Sequence, residues 1–542
     1  MKASKLWKEL LKNPHENKDI LKEIERLARE NTDKTEIHFG TSGWRGEIGS
    51  DFTFQNLRVL TKALIEAVKS EDRNILKSIG VNSFNEFKER GVIVGHDNRI
   101  LGKEFSMEVM GMLQNEKIKC FYAGESSTPE FSAGIVESGV AASINLTPSH
   151  NPANYGGFKL NPSDGGPAPE ELTKPIETLG NEIMKNASSI KSFYPEKIEK
   201  IDLTGLYINF IKKRKMIDTE KIKEFLTKTQ TAIAVDHMHG ATRGKIARIL
   251  SLKPGTFICL RREDDPFFEG LSPEPSEENL KLALSHLKKD RVGFCAIIDP
   301  DGDRVRFADL QRQIPMNYFG AMAFHFLYSY KKMRGIVVKS VGTSNFVSAI
   351  AKAFGVEVVE TKVGFKNFRP YLLPDSEKKA LVAFEESDGI SIQNHTLEKD
   401  AILGILLALE MLATTGKSLS EYLEEIESQF GRYFSDRTGI EIPRESFGPH
   451  LKETISSIAN LFKSGDEIQI GKTKKTIASI ITVDGIKIIF TDNSWLMIRP
   501  SGTEPKIRIY VEANSIQEKN LLMDEAKILI NRLCTEGISC MR

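Results

Sequence analysis

Gly139-Val-Ala-Ala-Ser-Ile-Asn145, then Leu146, then Thr147-Pro-Ser-His-Asn-Pro152: this stretch decides how the chain is read. The first part is an apolar run that predicts a buried strand over Gly139 to Asn145. The second part places one hydroxyl nucleophile, Ser149, on a loop between two prolines, which fix the backbone and continue neither a strand nor a helix. Ligands of open α/β sheets gather at the carboxyl ends of strands, so a serine held there points to covalent chemistry. A solvated turn with a Ser-His pair uses the same residue types. The rest of the chain has to separate the two.

Outward from this loop, short β-branched runs alternate with helical stretches. Gly91 to Gly95 joins Gly139 to Asn145 in a first α/β unit, Thr231 to Val235 and Phe294 to Ile298 form a second, and Gly335 to Lys339 and Ala380 to Phe384 a third. Apolar strands spaced by helices predict mostly parallel sheets covered on both faces. From Glu467 to Glu512 strand-like runs follow one another closely around an Asp484-Gly485 turn signal, and a helix follows at about 516–533, which predicts a smaller α+β domain. Residues 4–31 read as amphipathic helix with an Asn13-Pro14 break, and Asn161 to Pro169 as a loop.

Bulk composition sets limits. At 542 residues the chain needs several cores. Lys plus Arg is 75 against 74 for Asp plus Glu, so no basic excess argues for nucleic acid, and anions must be bound by a few aimed groups. Five scattered cysteines (Cys120, Cys259, Cys295, Cys534, Cys540) give neither a disulfide framework nor a zinc pattern. The N-terminus lacks an apolar signal core, and the longest apolar run, Ala401 to Leu409, is too short to span a membrane. The expectation is a cytoplasmic protein with no membrane partner.

Four further loops carry chemistry. Asp299-Pro-Asp-Gly-Asp-Arg304 follows an apolar strand, and its alternate carboxylates can converge on one hard cation. An EF-hand is excluded, because position 6 is Arg304 and position 12 is Leu310. All-oxygen ligands favour Mg²⁺ over zinc. Arg499-Pro-Ser-Gly-Thr-Glu-Pro-Lys506 is a compact anion nest suited to a phosphate. Phe384-Glu-Glu-Ser-Asp-Gly389 offers carboxylates and a hydroxyl to vicinal sugar hydroxyls, and Thr41-Ser-Gly-Trp-Arg-Gly46 presents Arg45. A nucleophile, a cation and a phosphate clamp together suit phosphoryl transfer through a phosphoenzyme. Serine hydrolysis fits less well: there is no Gly-x-Ser-x-Gly elbow, and His150 is too close in sequence to serve easily as the base of Ser149.

These loops resemble, in order, the signature loops of the α-D-phosphohexomutases: Thr147 to Pro152 the phosphoserine loop, Asp299 to Arg304 the metal loop, Glu385-Glu-Ser387 the sugar loop and Arg499 to Pro505 the phosphate loop. The resemblance runs from about His38 and leaves the Lys-rich residues 1–30 outside. It implies three α/β domains with mixed, mostly parallel sheets plus a smaller C-terminal α+β domain around a central cleft. The boundaries expected here are 1–37 (helical extension), 38–206, 207–312, 313–432 and 433–542.

The resemblance further implies that Ser149 carries a phosphoryl group and that Asp299, Asp301 and Asp303 hold Mg²⁺ together with an oxygen on Ser149. Arg45, His150, Lys159 and Arg304 would surround the transferring group, which leaves open which of them assists proton transfer. Glu385 and Ser387 would read sugar hydroxyls, with Lys366 and Lys399 lining the site; Arg499, Ser501, Gly502, Thr503 and Arg508 would hold the phosphate that stays. Phe384 and Ala401 stand where many members have glycine, and Glu-Glu-Ser resembles glucose-specific members more than the Glu-Met-Ser of dual glucose/mannose enzymes. The expected activity is glucose 1-phosphate/glucose 6-phosphate exchange through a hexose 1,6-bisphosphate, by a monomer or weak homodimer that binds small hexose phosphates. Phosphomannomutase, phosphopentomutase, bisphosphate synthase and a non-catalytic phosphosugar sensor are the alternatives.

Overall fold

The computed structural model describes residues 2–40, 43–186, 189–229, 231–253, 255–288, 291–442, 451, 455, 459–501 and 506–535. They form two compact units: Met1–Pro315 with Leu372–Ser376 and Ser387–Ser420, and Met316–Tyr371 with Glu377–Glu386 and Glu421–Arg542.

The first unit opens with two helices, α1 (Lys2–Leu10) and α2 (Lys18–Glu30), separated where Asn13-Pro14 interrupts the pattern. Its first sheet uses β1 (Trp44–Glu47), β2 (Val92–His96), β3 (Cys120–Glu125), β4 (Ala142–Leu146), β5 (Tyr155–Pro162) and β6 (Glu199–Lys200) in the order β1-β5-β4-β2-β3-β6. β4, β2, β3 and β6 run parallel; β5 and β1 close one side antiparallel. Alternate residues of β2 face different cores. Val92 and Val94 belong to one core with helix Gly102–Asn115 against the strand, whereas Ile93 belongs to another with Phe131, Ile135 and Leu203. Because the strand is buried on both sides, its sequence reads as a continuous apolar run.

The strand expected from Gly139 begins at Ala142 and reaches Leu146. Gly139 instead ends helix Thr128–Ser138 in the left-handed conformation, a common helix stop. The loop expected from Asn161 is also shorter, because Asn161 and Pro162 stay in β5, paired with Ser143 and Ala142.

A second sheet in this unit has β7 (Ala232–Asp236), β8 (Ile258–Leu260), β9 (Gly293–Ile298), β10 (Val305–Ala308) and β11 (Gln313–Ile314) in the order β11-β10-β9-β7-β8, with β9, β7 and β8 parallel. The carboxyl ends of β4 and β9 lead into the Ser149 and Asp299 loops.

In the second unit β12 (Ile336–Ser340) lies between β13 (Val358–Thr361) and β14 (Ala380–Glu385), all parallel. The first unit resumes with β15 (Gly389–Ile392) and helix Ala401–Thr415, whose apolar run is core. No single helix among the described residues is long and apolar enough to cross a membrane. The remaining strands, β16 (Phe434–Glu441), β17 (Glu467–Ile470), β18 (Thr473–Ile481), β19 (Ile486–Phe490), β20 (Trp495–Pro500) and β21 (Lys506–Ala513), form an antiparallel sheet with helix Ile516–Thr535 packed on it. The Asp484-Gly485 turn joins β18 to β19, as its residue types predict.

Candidate active site

Ser149 sits at φ +58°, in the left-handed region that non-glycine residues enter at a cost of about 1–2 kcal/mol. Its neighbours hold it there. Its N–H donates to Thr147 Oγ1 at 2.9 Å, and Thr147 donates to Asp97 at 2.6 Å. Arg99 donates to the carbonyls of Ser149 (2.8 Å), Asn151 (2.6 Å) and Pro152 (2.5 Å), so one buried guanidinium ties down the whole loop. Underneath, Gly157 of β5 approaches so closely that a Cβ there would lie 2.3 Å from Thr147 O.

The nucleophile's surroundings come from five chain segments. Ser149 Oγ donates to Asp299 Oδ2 at 2.9 Å and lies 3.3 Å from His150 Nδ1. Adjacency in sequence therefore does not keep the imidazole away, because the left-handed turn folds it back. One oxygen each of Asp299, Asp301 and Asp303 lies within 4.8 Å of the others, and all three residues are buried. Lys159, 3% exposed, donates to Asp301 at 2.5 Å and Asp303 at 2.9 Å. Lys399 lies 3.3 Å and Arg304 3.7 Å from Asp303, and Arg45 on β1 donates to Asn151 Oδ1 at 2.7 Å.

The electrostatics follow. Burial, then the charges of Asp301 and Asp303, pushes the Asp299 carboxyl well above the usual range. Burial opposes ionisation of Asp303 too, but Lys159, Lys399 and Arg304 override it and hold that carboxyl low; Lys159 does the same for Asp301. The two aspartates in turn raise Lys159 against its burial, keeping it charged. Burial, reinforced by Arg304 and Arg45, pushes His150 well down, so its imidazole is neutral near pH 7. Arg45 falls to about 10 through burial and the charge of Arg304, and still carries its charge. Asp301 Oδ1 and Asp303 Oδ1 are buried with no hydrogen-bond partner, and the donors are all oxygen: the set fits a hard divalent cation.

The structure thus brings together Ser149, His150, Arg45, Lys159, Arg304, the three aspartates and Lys399 in the first unit. Half-buried Ser387 belongs to that unit as well. In the second unit Glu385 ends β14 and accepts from Gly364 N at 2.6 Å. Glu386 turns inward, accepting from Ser340 Oγ at 2.7 Å and Thr343 Oγ1 at 3.2 Å. Lys366 is half-buried in the turn Phe365–Phe368. Arg499 and Arg508 face each other across β20 and β21, Arg499 lies 3.1 Å from Asp484, and Ser501 N donates to Lys506 O at 2.8 Å. Gly502 and Thr503 lie outside the described residues.

Sequence reasoning passed over three participants. Asp97 and Arg99 follow β2 as Ser149 follows β4, and a charged pair at a strand's carboxyl end was the available signal. Thr128 donates to Asp301 Oδ2 at 2.7 Å from the first turn of its helix, and only the Ser-Ser-Thr-Pro cap marked it. Burial, then Asp301, raises Asp97 to about 6 despite Arg99 and Thr147.

A held nucleophile beside a cation site and several aimed positive groups is the equipment of phosphoryl transfer. The phosphoglucomutase/phosphomannomutase alpha/beta/alpha domains I, II and III match residues 36–187, 206–312 and 315–430, and the C-terminal domain of the same family matches 455–528. The chain belongs to the phosphoglucomutase/phosphomannomutase family, whose members are mutases, and is thereby an isomerase.

It is similar to the phosphoglucomutase/phosphomannomutase of Thermococcus kodakarensis (28% identical, covering 88% of this chain and 94% of that one). It also resembles the phosphoglucomutase of Staphylococcus saprophyticus (26%, covering 89% and 92%) and the phosphoglucosamine/phosphogalactosamine mutase of Sulfurisphaera tokodaii (26%, covering 91% and 98%). Among solved structures it superposes on a putative phosphomannomutase from Thermus thermophilus with TM-score 0.73 and 28% identity, covering 92% of this chain and 100% of that one.

Proposed function

We propose that this mutase interconverts glucose 1-phosphate and glucose 6-phosphate through a phosphorylated Ser149 and a glucose 1,6-bisphosphate intermediate. The observation that carries the reading is Ser149 Oγ, buried and donating to Asp299 beside two cation-paired aspartates. Hydrolysis would need water at that hydroxyl, whereas a buried carrier suits transfer to a bound alcohol. In the forward half-reaction the Ser149 Oγ–phosphorus bond breaks and a bond from phosphorus to the free sugar hydroxyl forms. The hydroxyl's proton leaves to a neighbouring base while the departing serine oxygen takes one up; in the second half-reaction Ser149 Oγ gives up its proton as it takes the other phosphoryl group, and the released sugar oxygen is protonated. His150, held neutral by burial at 3.3 Å from Ser149 Oγ, supports the role of base; Lys159 stays charged and acts as counter-ion.

Asp299, Asp301 and Asp303 fit Mg²⁺, which when bound would neutralise charge on the phosphoryl oxygens. Arg45, Arg304 and Lys399 would bind and orient that group. Glu385 and Ser387 would read sugar hydroxyls, and Arg499, Ser501 and Arg508 would hold the phosphate that does not move. The Glu-Glu-Ser sugar loop and the relatives named phosphoglucomutase support glucose. The relative named for amino-sugar phosphates supports a second reading, a hexosamine phosphate.

Parallel kcat/KM measurements on glucose, mannose and glucosamine 1-phosphates test the substrate: a clear preference for either of the others overturns the glucose assignment. Ser149→Ala tests the carrier. Loss of exchange by more than about 10³-fold is expected, and retained exchange refutes a phosphoserine.

A further inference from the structure

The family match begins at residue 36, and the α1–α2 hairpin before it has no role in the chemistry above. Its placement gives it one. The turn after β1, Glu47 to Ser50, is inserted between the two helices. Trp7, 1% exposed, donates Nε1–H to Ile48 O at 2.9 Å; Ser4 Oγ reaches Glu47; Asn31 Nδ2 donates to Gly49 O at 3.1 Å. Gly49, at φ +86°, comes so near that a Cβ would lie 3.3 Å from Ile24 O and 3.6 Å from Ala3 Cβ. A side chain there would be tight against Ile24 O and strained by the positive φ, so glycine suits the close approach of the turn to both helices.

From this turn the contacts continue to the nucleophile. Ile48 N donates to Asn154 O at 2.8 Å, and Glu47 accepts from Asn154 Nδ2 at 2.8 Å, just past the serine loop. β1 carries Arg45, which reaches Asn151, and pairs Arg45 with Gly157 of β5, the residue beneath Thr147 and Pro148. The hairpin also meets the segment at Phe268: Trp7, Leu10 and Phe268 share one core, and the Phe268 ring lies 4.9 Å beneath the Arg99 guanidinium that ties the loop carbonyls. Two independent routes therefore lead from α1–α2 to the same six residues.

We infer that the α1–α2 hairpin is a positioning element for the phosphoryl carrier: it braces the Ser149 loop from behind through β1 and through the Phe268–Arg99 stack. Its consequence for turnover rests on the mutase reading; the bracing does not. The test uses full-length protein with Trp7→Phe, which keeps a buried ring and removes the N–H donor, and Ser4→Ala, which removes a half-buried hydroxyl. Amide hydrogen exchange of residues 147–155 is expected to speed up roughly 3- to 10-fold in Trp7→Phe, the scale of one net hydrogen bond, and less in Ser4→Ala. For glucose phosphate exchange, kcat is expected to fall about 5-fold or more in Trp7→Phe with KM within about twofold.

Unchanged exchange at 147–155 in both variants overturns the bracing. A lower melting temperature with unchanged kcat and KM reduces the hairpin to packing and overturns the positioning role. If the wild-type protein does not interconvert glucose phosphates, the substrate reading fails, while the exchange measurement still decides the bracing.

Discussion

Replacing Lys159 by Met gives the sharpest test of the site's electrostatics. In the wild-type protein Nζ lies 2.5 Å from Asp301 Oδ2 and 2.9 Å from Asp303 Oδ2. Near 3 Å each pairing is worth about 5.5 kcal/mol at an effective dielectric of about 20, set against the cost of taking the ammonium out of water. Methionine keeps the bulk of the stem and deletes the charge, so two consequences of opposite sign follow. Without a divalent cation the acids lose a main counter-ion, and the first unit should be destabilised by about 3–5 kcal/mol, the scale for breaking a buried pair. With one, a competing positive charge is gone. Even a quarter of one pairing, about 1.4 kcal/mol, is tenfold in Kd.

The assays are Mg²⁺ titration calorimetry and thermal melting in chelator and in saturating Mg²⁺. Lys159→Met should melt below wild type in chelator, regain most of the loss in Mg²⁺, and bind Mg²⁺ about tenfold tighter or more. On the proposed mechanism it should turn over at least about 100-fold more slowly, because the charge would also face the transferring group. Cooperative melting combined with unchanged or weaker Mg²⁺ binding refutes the reasoning.

Gly157→Ala places a methyl 2.3 Å from Thr147 O, so the serine loop must shift; kcat should fall about 100-fold with far-ultraviolet circular dichroism unchanged. Arg99→Lys replaces a fork serving Ser149, Asn151 and Pro152 carbonyls with one ammonium, and a loss of about tenfold in kcat with KM held is expected from steady-state kinetics. Buried Lys487 is lowered to about 8 by burial and by Lys339, so between pH 8 and 10.5 the unfolded chain binds a proton that the folded one does not. Stability from this group therefore rises with pH across that window, by up to about 3 kcal/mol. Melting of wild type and Lys487→Met at pH 8 and pH 10 should show that slope only in wild type.

The fold and the site were legible to different depths. Strand ends were legible because Val92 to Val94 and Phe294 to Ile298 are buried on both faces and read as unbroken apolar runs. The start of β4 was not, because Gly139-Val140-Ala141 is apolar whether it ends a helix or begins a strand, and only the backbone at Gly139 separates the two. Ser149 and the aspartates announced themselves through prolines and spacing. Asp97, Arg99 and Thr128 act by reaching other segments, and no local pattern encodes which segment that is. The inward turn of Glu386 is of the same kind, since it depends on Ser340 and Thr343, more than forty residues earlier.

On the proposed reading, the charges around Ser149 give a reason for a phosphoryl carrier and a cation to share one site. Arg45, Lys159, Arg304 and Lys399 stand against three aspartates that compete for them, and the competition is visible: Asp301 and Asp303 are held ionised while Asp299, which accepts from the serine, is pushed up. A phosphoryl dianion on Ser149 would repel the triad and draw the same cations away from it. A divalent cation among the aspartates removes that conflict, because it is attracted to both. By linkage each must then strengthen the other's binding. Phosphorylated and unphosphorylated protein should accordingly differ in Mg²⁺ affinity by tenfold or more, the coupling of about 1.4 kcal/mol that one added charge in a buried site readily supplies. Equal affinities by calorimetry would mean that the aspartates and the serine do not share an electrostatic site, whatever their distance.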